Sequence, residues 1–263
     1  MIKKIHYCWF GSAKPPTVEE NVAQWKSLNP DFTFCEWNEK NIDVSEYEFG
    51  RRALEQKRWG FLVDIIRPQK LHDEGGFYLD ADVELIRPLK VLEAEGDYLI
   101  MGYMFDCAFG TAIVYSPPGH PFIGHILKEY HTIGPDAWPM SNSVFTDYAI
   151  NHLSGFLLNG RRWKSEEHKI SLYPKEFFEQ PAFLRRRGVG IHQSTGSWNP
   201  VNTGNPFVTG KGGYSHKTKW LKRKLRTFYS LLRSEYRETY FRALWGMPSR
   251  KHTPWKKETT VGN

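Results

Sequence analysis

Residues 75–84 have the sequence GGFYLDADVE. A glycine pair is followed there by a short apolar, strand-like run and then by two aspartates. Before it, strand-like runs at residues 2–10 and 32–37 alternate with helix-compatible stretches at 17–28, 44–59 and 60–74. Such alternation predicts a parallel sheet covered by helices, with ligands bound outside the carboxyl ends of the strands. Trp9, Asp80 and Asp82 fall at such ends.

The rest of the chain continues the mixed pattern. We expect further strands near residues 98–104, 110–116, 170–172 and 190–192, and helices near 122–130 and 144–153. In the first helix, Thr17 is the expected N-cap, with Glu20 three residues later. A chain of 263 residues is long enough for one α/β domain with an appendage. We therefore predict a first domain over residues 1–210.

The positive charge is concentrated near the C-terminal end. Residues 211–257 hold fourteen Lys and Arg against two Glu, a net charge of +12, so the rest of the chain carries −5. Residues 217–245 contain no Gly or Pro, and apolar residues recur there at near-helical spacing. We predict a basic amphipathic helical extension over residues 211–263 that contacts an anionic membrane surface or another polyanion. The acidic body argues against a nucleic-acid partner, and a solvated helix face packed on the body remains the alternative.

The cysteines and the apolar runs bear on the compartment. Cys8, Cys35 and Cys107 fit neither a disulfide framework nor a CxxC metal motif, which favours a reducing compartment. Runs of 18 consecutive apolar residues are absent from the sequence, so we expect no transmembrane helix. We predict a cytoplasmic protein.

The aspartate pair is the strongest chemical signal. Asp80 and Asp82 are two residues apart, so their carboxylates share one face of a strand and both can turn toward one cation at its end. Mg²⁺ and Mn²⁺ take carboxylate oxygens and leave positions for phosphate oxygens. The alternative interpretation is an ordinary turn with no binding role. The preceding glycine pair and apolar run favour the functional interpretation.

A series of motifs along residues 2–200 resembles family 32 glycosyltransferases. The motifs occur in order at residues 5–11 (IHYCWFG), 21–25, 30–31, 37, 64–67 (DIIR), 75–83 (GGFYLDADV), 173–174 (YP), 177–178 (FF), 192 and 197–198 (SW). That family includes bacterial capsular and lipopolysaccharide sugar transferases and fungal initiating mannosyltransferases. The residues from about 210 lie outside the resemblance.

The resemblance implies a GT-A-type fold, a Rossmann-like nucleotide-sugar-binding domain with a mixed, mostly parallel sheet. It also implies a Mn²⁺ or Mg²⁺ cofactor and transfer of a hexose-type sugar, with retention, from a nucleotide-sugar to a glycan or lipid-linked acceptor in surface polysaccharide synthesis. UDP-sugars are the favoured donors by analogy, and the place of action is the inner face of the plasma membrane. The implied donor-binding residues are Trp9, Asp64, Arg67, Gly76, Tyr78, Asp80, Asp82 and Trp198, and the implied metal ligands are Asp80, Asp82 and His192.

Several points depart from this pattern or stay open. Val63 and Pro68 flank the DIIR motif where the family usually has a small residue and a tyrosine, and Pro68 disfavours helical geometry at Arg67. Without the resemblance, Trp9 could fill the core, Asp64 and Arg67 could form an ordinary surface ion pair, and His192 could be a structural histidine. Asp106 and Asp147 are further candidates for catalytic, acceptor or sugar contacts.

Two other functions compete with this hypothesis. Residues 77–83 also resemble the nucleophile strand of haloacid-dehalogenase-type phosphatases, in which Asp80 would be the nucleophile and Asp82 the acid/base. That family places the strand near the N-terminus, whereas about 75 residues precede it here. The other alternative is a membrane-surface or polyanion-binding module without catalysis, which would leave the acidic residues without a role.

Overall fold

A seven-stranded sheet organises the chain in the computed structural model, which describes residues 1–180, 188–194 and 216–247, with the backbone alone described for 216–220, 222 and 223. The strands run in the order β2-β1-β3-β6-β5-β8-β7, and β4 and β9 form a separate two-stranded sheet. The strands are β1 (Lys4–Cys8), β2 (Thr33–Trp37), β3 (Gly76–Leu79), β4 (Val83–Leu85), β5 (Leu99–Phe105), β6 (Ala108–Ser116), β7 (Trp163–Ser165), β8 (Ile170–Tyr173) and β9 (Gly190–His192).

Five of the seven strands of the large sheet point in one direction. Parallel pairs join β2 to β1, β1 to β3 and β5 to β8, while β6 lies antiparallel between β3 and β5, and β7 is antiparallel to β8. The sheet is therefore mixed, with most strands parallel in direction, and the predicted α/β fold class is confirmed.

Helices cover both faces of this sheet. They are α1 (Pro16–Leu28), α2 (Glu48–Glu55), α3 (Trp59–Asp73), α4 (Pro121–His131), α5 (Ser141–His152), the single turn α6 (Lys175–Phe178), α7 (His216–Arg233) and α8 (Arg237–Leu244), with a 3₁₀ helix over Leu89–Glu95. The prediction of Thr17 as the N-cap of α1 is wrong, because the helix starts at Pro16 with Pro15 in the cap position. Proline is well suited to the first turn, where its missing N–H would have no partner in the helix.

Alternating side chains of β3 enter two different hydrophobic clusters. Phe77 and Leu79 pack with Trp25 of α1 on one side, and Tyr78 packs with Ile65 and other apolar residues of α3 on the opposite side. This alternation follows from the two-residue period of a strand. It directs Tyr78 toward α3, the helix that also carries Asp64 and Arg67.

The glycine pair before β3 is required by its backbone. Gly75 and Gly76 have φ angles of +65° and +104°, a region that side chains other than glycine rarely occupy. A Cβ atom on Gly76 would lie 2.7 Å from the carbonyl oxygen of Lys4 in the neighbouring strand β1. The pair turns the chain from α3 into the sheet and allows β1 and β3 to approach closely.

The predicted C-terminal helical region contains two helices in the described residues. Leu231 of α7 and Tyr236 join the core cluster that includes α3, α4 and α5. In addition, Thr227 exchanges hydrogen bonds with Gln180, at 3.0 and 3.1 Å. The boundary at residue 210 stays a prediction, although α7 packs on the residues that precede it.

The outward face of the same helices is apolar. Exposed large hydrophobic side chains cluster on α7, α8 and the residues just beyond: Leu221, Leu225, Phe228, Tyr229, Leu232, Phe241, Leu244, Trp245 and Met247. Within the described part of the chain, none of the helices combines the length and the apolarity needed to cross a membrane.

Candidate active site

A cleft of about 930 Å³ opens where β1 and β3 end. Trp9 follows β1, and Asp80 and Asp82 follow β3, so all three stand at the carboxyl ends of strands and line this cleft. Asp64 and Arg67 of α3 also line it, as does His192 at the end of β9. The carboxyl ends of neighbouring parallel strands thus bring together residues that are far apart in the sequence.

A small sheet brings Asp82 to His192. Strands β4 and β9 pair antiparallel with Val83 opposite His192, and the Gln193 N–H donates to the carbonyl oxygen of Asp82 at 3.0 Å. His192 Nε2 lies 3.2 Å from Asp82 Oδ1. Asp80 is held by the main chain, because its N–H donates to the Ala112 carbonyl of β6 at 2.8 Å.

Asp80, Asp82 and His192 form a ligand set that fits a divalent cation. One ligand atom from each side chain lies within 4.8 Å of the other two. Two carboxylates and an imidazole suit a cation that accepts both oxygen and nitrogen ligands, such as Mn²⁺, while the carboxylates alone also suit Mg²⁺. These three residues could therefore hold the predicted cation and leave positions for phosphate oxygens.

The protonation of His192 depends on its acidic neighbours. Burial by itself would lower the pKa of His192, but the carboxylates of Asp82 and Glu179 outweigh it and hold the pKa well above the ordinary value. These carboxylates therefore favour the protonated ring, with Asp82 facing Nε2 and Glu179 facing Nδ1. A cation that takes Nε2 must displace this proton.

A second cluster of possible metal ligands is poorly placed to bind a metal. His6, Cys35 and Glu74 also lie within 4.8 Å of one another. Both ring nitrogens of His6 are engaged, however, with Trp37 Nε1 at 3.1 Å and the Gly75 carbonyl oxygen at 2.9 Å. Glu74 pairs with Lys4 at 2.7 Å. The His6 ring and the Glu74 carboxylate therefore already have partners within the protein.

Arg67 connects three parts of the cleft. Its Nη1 donates to Asp64 Oδ1 at 3.1 Å and to Ser141 Oγ at 3.0 Å, and its Nη2 donates to Asp80 Oδ1 at 3.1 Å. The guanidinium also lies over the Tyr78 ring, 4.8 Å from its centroid. The Arg67 side chain is 3% exposed, so the Asp64–Arg67 pair is a buried network and not the ordinary surface ion pair considered above.

The expectation drawn from Pro68 is wrong. Arg67 and Pro68 both lie inside α3, which continues to Asp73. The steric preference of a residue before proline is modest, and the buried bonds of Arg67 to Asp64 and Asp80 favour the helical conformation here. Burial alone would lower the pKa of Arg67, but the Asp80 carboxylate, with Tyr78 and Asp64, raises it, so the side chain stays charged.

The N-terminus of α5 completes this network. Ser141, the first residue of α5, donates its backbone N–H to Asp64 Oδ2 at 3.2 Å, and its hydroxyl lies 3.1 Å from that of Thr111 on β6. A carboxylate is favoured at a helix N-terminus, where backbone N–H groups are free to donate. Ser141 and Thr111 both line the cleft, and sequence reasoning missed them.

The end of the cleft near Trp9 is aromatic. Trp9 is partly exposed, and its Nε1 donates to the Ser12 carbonyl at 2.7 Å. Trp59 lines the same region and stacks on Phe10 with ring centroids 5.8 Å apart. Trp9 therefore lies in the cleft and not in the core, where a ligand could reach its ring.

Other predicted residues lie elsewhere. Tyr78 lines the cleft beneath Arg67, whereas Gly76 is packed against β1 and does not line it. Asp106 forms an ion pair with Lys175. Asp147 is 1% exposed on α5 and hydrogen-bonds Tyr236, and neither aspartate lines the cleft. Trp198 falls outside the residues that the structure describes.

Two cleft residues come from regions that the motifs did not single out. Glu179, just after α6, is buried and lies against His192, with its Oε2 2.8 Å from Nδ1. Arg226 of α7 places a positively charged side chain at the wall of the cleft. Neither residue belongs to a recognisable motif, so the sequence offered no local signal for either.

Residues 15–100 match a family model described as "Glycosyltransferase sugar-binding region containing DXD motif". The chain is also 27% identical over 108 residues to "Subversion of eukaryotic traffic protein A" of Legionella pneumophila subsp. pneumophila, a match that covers 31% of this chain and 17% of that protein. The chain thus corresponds to a small part of this relative's length.

Two solved structures show a looser likeness. "PaToxG Glycosyltransferase" has 16% identity and a TM-score of 0.47, with 59% of this chain and 70% of that one covered. The "glycosyltransferase involved in the glycosylation of the major capsid of PBCV-1" has 9% identity and a TM-score of 0.43, with 84% and 98% covered.

The family match covers the residues at the centre of the cleft. Asp64, Arg67, Asp80 and Asp82 all lie within residues 15–100, and the aspartate pair is the DXD motif for which the family is named. The phosphatase hypothesis loses its support, since the same strand belongs to this region. Over residues 15–100 the chain is thus similar to the sugar-binding region of glycosyltransferases that contain a DXD motif.

Proposed function

We propose that the chain is a metal-dependent, retaining glycosyltransferase of family 32 that moves a hexose-type sugar from a nucleotide-sugar, a UDP-sugar more readily than a GDP-sugar. The observation that carries the proposal is the convergence of Asp80, Asp82 and His192 on one point of the cleft, within 4.8 Å of one another. Mn²⁺ or Mg²⁺ bound there would neutralise charge on the donor diphosphate and so assist its departure.

The cleft supplies suitable surroundings for such a donor. The aromatic end around Trp9 and Trp59 would take the nucleotide base, and the aspartate end would take the diphosphate. Arg67 fixes the Asp80 carboxylate from a buried position and thereby keeps the ligand oriented before the donor arrives. Such preorganisation lowers the reorganisation needed during the reaction.

The described carboxylates of the cleft are all engaged with other groups. Asp64 and Asp80 bind Arg67, Asp82 and Glu179 flank His192, and Glu39 accepts from the Gly11 N–H at 2.5 Å. Each of these five thus has a partner within the protein, and none stands out as a nucleophile for the sugar. We therefore propose that the acceptor hydroxyl attacks from the same face as the departing diphosphate, which gives retention.

The acceptor side of the proposal rests on α7 and α8. We propose a glycan or lipid-linked acceptor of surface polysaccharide synthesis, used at the inner face of the plasma membrane. Exposed apolar residues of these helices, such as Phe228 at 61% exposure, accompany the net charge of +12 in residues 211–257. Apolar side chains with basic neighbours favour binding at an anionic lipid surface.

The test is donor hydrolysis and transfer. The purified protein is incubated with UDP- and GDP-sugars and Mn²⁺, and released nucleotide is measured beside the variants Asp82→Ala and Asp136→Ala. Asp136 is exposed and outside the cleft, so it provides the matched control. We expect release from one donor that chelator and Asp82→Ala abolish and Asp136→Ala leaves intact, and nuclear magnetic resonance of the product reports the anomeric configuration.

The absence of donor hydrolysis would count against the proposal. If every donor stays intact and calorimetry detects no metal-dependent nucleotide binding, the proposed reaction is wrong. Salt-sensitive binding to anionic vesicles without hydrolysis would then favour a membrane-surface module.

A further inference from the structure

Glu179 holds His192 through both its side chain and its main chain. Its Oε2 lies 2.8 Å from His192 Nδ1, and its backbone carbonyl accepts the His192 N–H at 3.2 Å. The Glu179 side chain is 3% exposed. A buried carboxylate requires partners for its oxygens, and here one oxygen is committed to the histidine ring.

The second oxygen of Glu179 is fixed by the central sheet. Oε1 accepts the backbone N–H of Ala112 on β6 at 3.3 Å. The carboxylate lies directly over Gly110 of the same strand, where an added Cβ atom would overlap it. The absence of a side chain at Gly110 therefore makes room for Glu179, and the sheet determines where the carboxylate points.

We propose that Glu179 is the positioning residue of His192, an inference that rests on the proposed metal site. By accepting the Nδ1–H, the carboxylate selects the tautomer whose Nε2 lone pair faces Asp82 and the cation position. It also fixes the ring plane and increases the basicity of Nε2. Carboxylates that hold metal-binding histidines in this way commonly change metal affinity about 10- to 100-fold when they are removed.

The two contacts of His192 have different roles in this arrangement. Nε2 faces Asp82 Oδ1 at 3.2 Å, on the side where a cation would be held. Nδ1 faces Glu179 Oε2 at 2.8 Å, on the other side of the ring. Glu179 acts on the cation through the ring.

The experiment measures Mn²⁺ binding without nucleotide, by the electron paramagnetic resonance signal of the free ion. The variants are Glu179→Gln, Gly110→Ala, His192→Ala and the double variant Glu179→Gln/His192→Ala. Glu176→Gln is the matched control, since Glu176 lies on the same turn but pairs with Lys175 and Lys224. Thermal unfolding establishes that each variant is folded.

We expect Mn²⁺ to bind about 10- to 100-fold more weakly to Glu179→Gln and Gly110→Ala than to the parent and the Glu176→Gln control. In the His192→Ala background the Glu179→Gln change should have no further effect, because a residue that acts through the ring loses its influence with it. Spin-echo modulation from an imidazole nitrogen bound to Mn²⁺ should be present in the control and weakened in Glu179→Gln.

Two results separate failure of this inference from failure of the proposed site. Full Mn²⁺ affinity in His192→Ala would remove His192 from the metal site altogether. Weak binding by His192→Ala with unchanged binding by Glu179→Gln, or additive effects in the double variant, would overturn the role of Glu179 and leave the metal site standing.

Discussion

Arg67 Nη2 lies 3.1 Å from Asp80 Oδ1, which ties the first aspartate of the DXD motif to α3. The arginine side chain is 3% exposed, so removing it would leave Asp64 and Asp80 as buried charges without their cation. We expect Arg67→Met to lower the free energy of unfolding by about 3 to 5 kcal/mol, as is typical when one partner of a buried ion pair is lost.

Chemical denaturation of the two proteins measures this difference. The control is Lys3→Met, which removes one partner of the exposed Lys3–Asp31 pair. We expect a much smaller loss there, because water screens surface charges. Equal losses in both variants would contradict a structural role for the buried network.

Metal affinity should rise with pH. The pKa of His192 is held above its ordinary value of 6.5 by Asp82 and Glu179 despite burial. Below the raised pKa a proton occupies Nε2 and competes with the cation, and above it the nitrogen is free. Calorimetric titration of Mn²⁺ across this range should show the increase in the parent protein and lose it in His192→Gln.

The metal-free protein should respond to pH in the opposite direction. Protonated His192 stabilises the fold through its two carboxylates, and this contribution is fully present below the unfolded-state pKa of about 6.5. It is lost as the pH rises through the raised folded-state pKa. The melting temperature measured in chelator should therefore fall over this pH interval. An equal fall in the melting temperature of His192→Gln would show that ion pairing of His192 is not its cause.

Trp9 should contribute to nucleotide binding. It is partly exposed in the cleft, and stacking of a base on an aromatic side chain contributes about 1 to 3 kcal/mol. We expect Trp9→Ala to weaken UDP binding in the presence of Mn²⁺ by roughly 5- to 150-fold. Trp245, which is 80% exposed just after α8, provides the control, and its replacement by alanine should leave the dissociation constant unchanged.

The exposed apolar face of α7 should determine vesicle binding. Leu225 and Phe228 are 63% and 61% exposed on one side of the helix. We expect the Leu225→Asp/Phe228→Asp protein to lose most of its binding to phosphatidylglycerol vesicles, because the change removes apolar contact and adds negative charge. Cosedimentation measures the bound fraction.

Val91→Asp is the matched control for this experiment. Val91 is an exposed apolar residue on the 3₁₀ helix, far in sequence from α7. Its replacement should leave vesicle binding intact. Equal binding by parent and α7 variant, or equal binding to uncharged phosphatidylcholine vesicles, would show that this face does not recognise an anionic surface.

The sequence predicted the parts of the site that follow from local patterns. Asp80 and Asp82 end an apolar strand, Trp9 ends another, and strand order alone places these ends at one edge of the sheet. Asp64 and Arg67, three residues apart on a helix, were expected on the same face. These residues all line the observed cleft.

Other parts of the site depend on tertiary contacts. Glu179 follows a single helical turn, and its proximity to His192 depends on how β9 pairs with β4. Ser141 meets Asp64 across 77 residues of sequence. The prediction that Pro68 disfavours helical geometry at Arg67 was wrong, because this local steric preference is weaker than the buried contacts of Arg67. Asp106 was a candidate by residue type alone, and it forms an ion pair with Lys175.

Helix α7 contacts the core through Leu231, the cleft through Arg226 and solvent through Phe228. One helix therefore connects the outer surface with the cleft. Thermodynamic linkage makes such a connection reciprocal: if a lipid surface favours one position of α7 and so changes donor affinity by some factor, the donor changes affinity for that surface by the same factor. An enzyme built in this way would sense its location through the same helix that helps to form its active site.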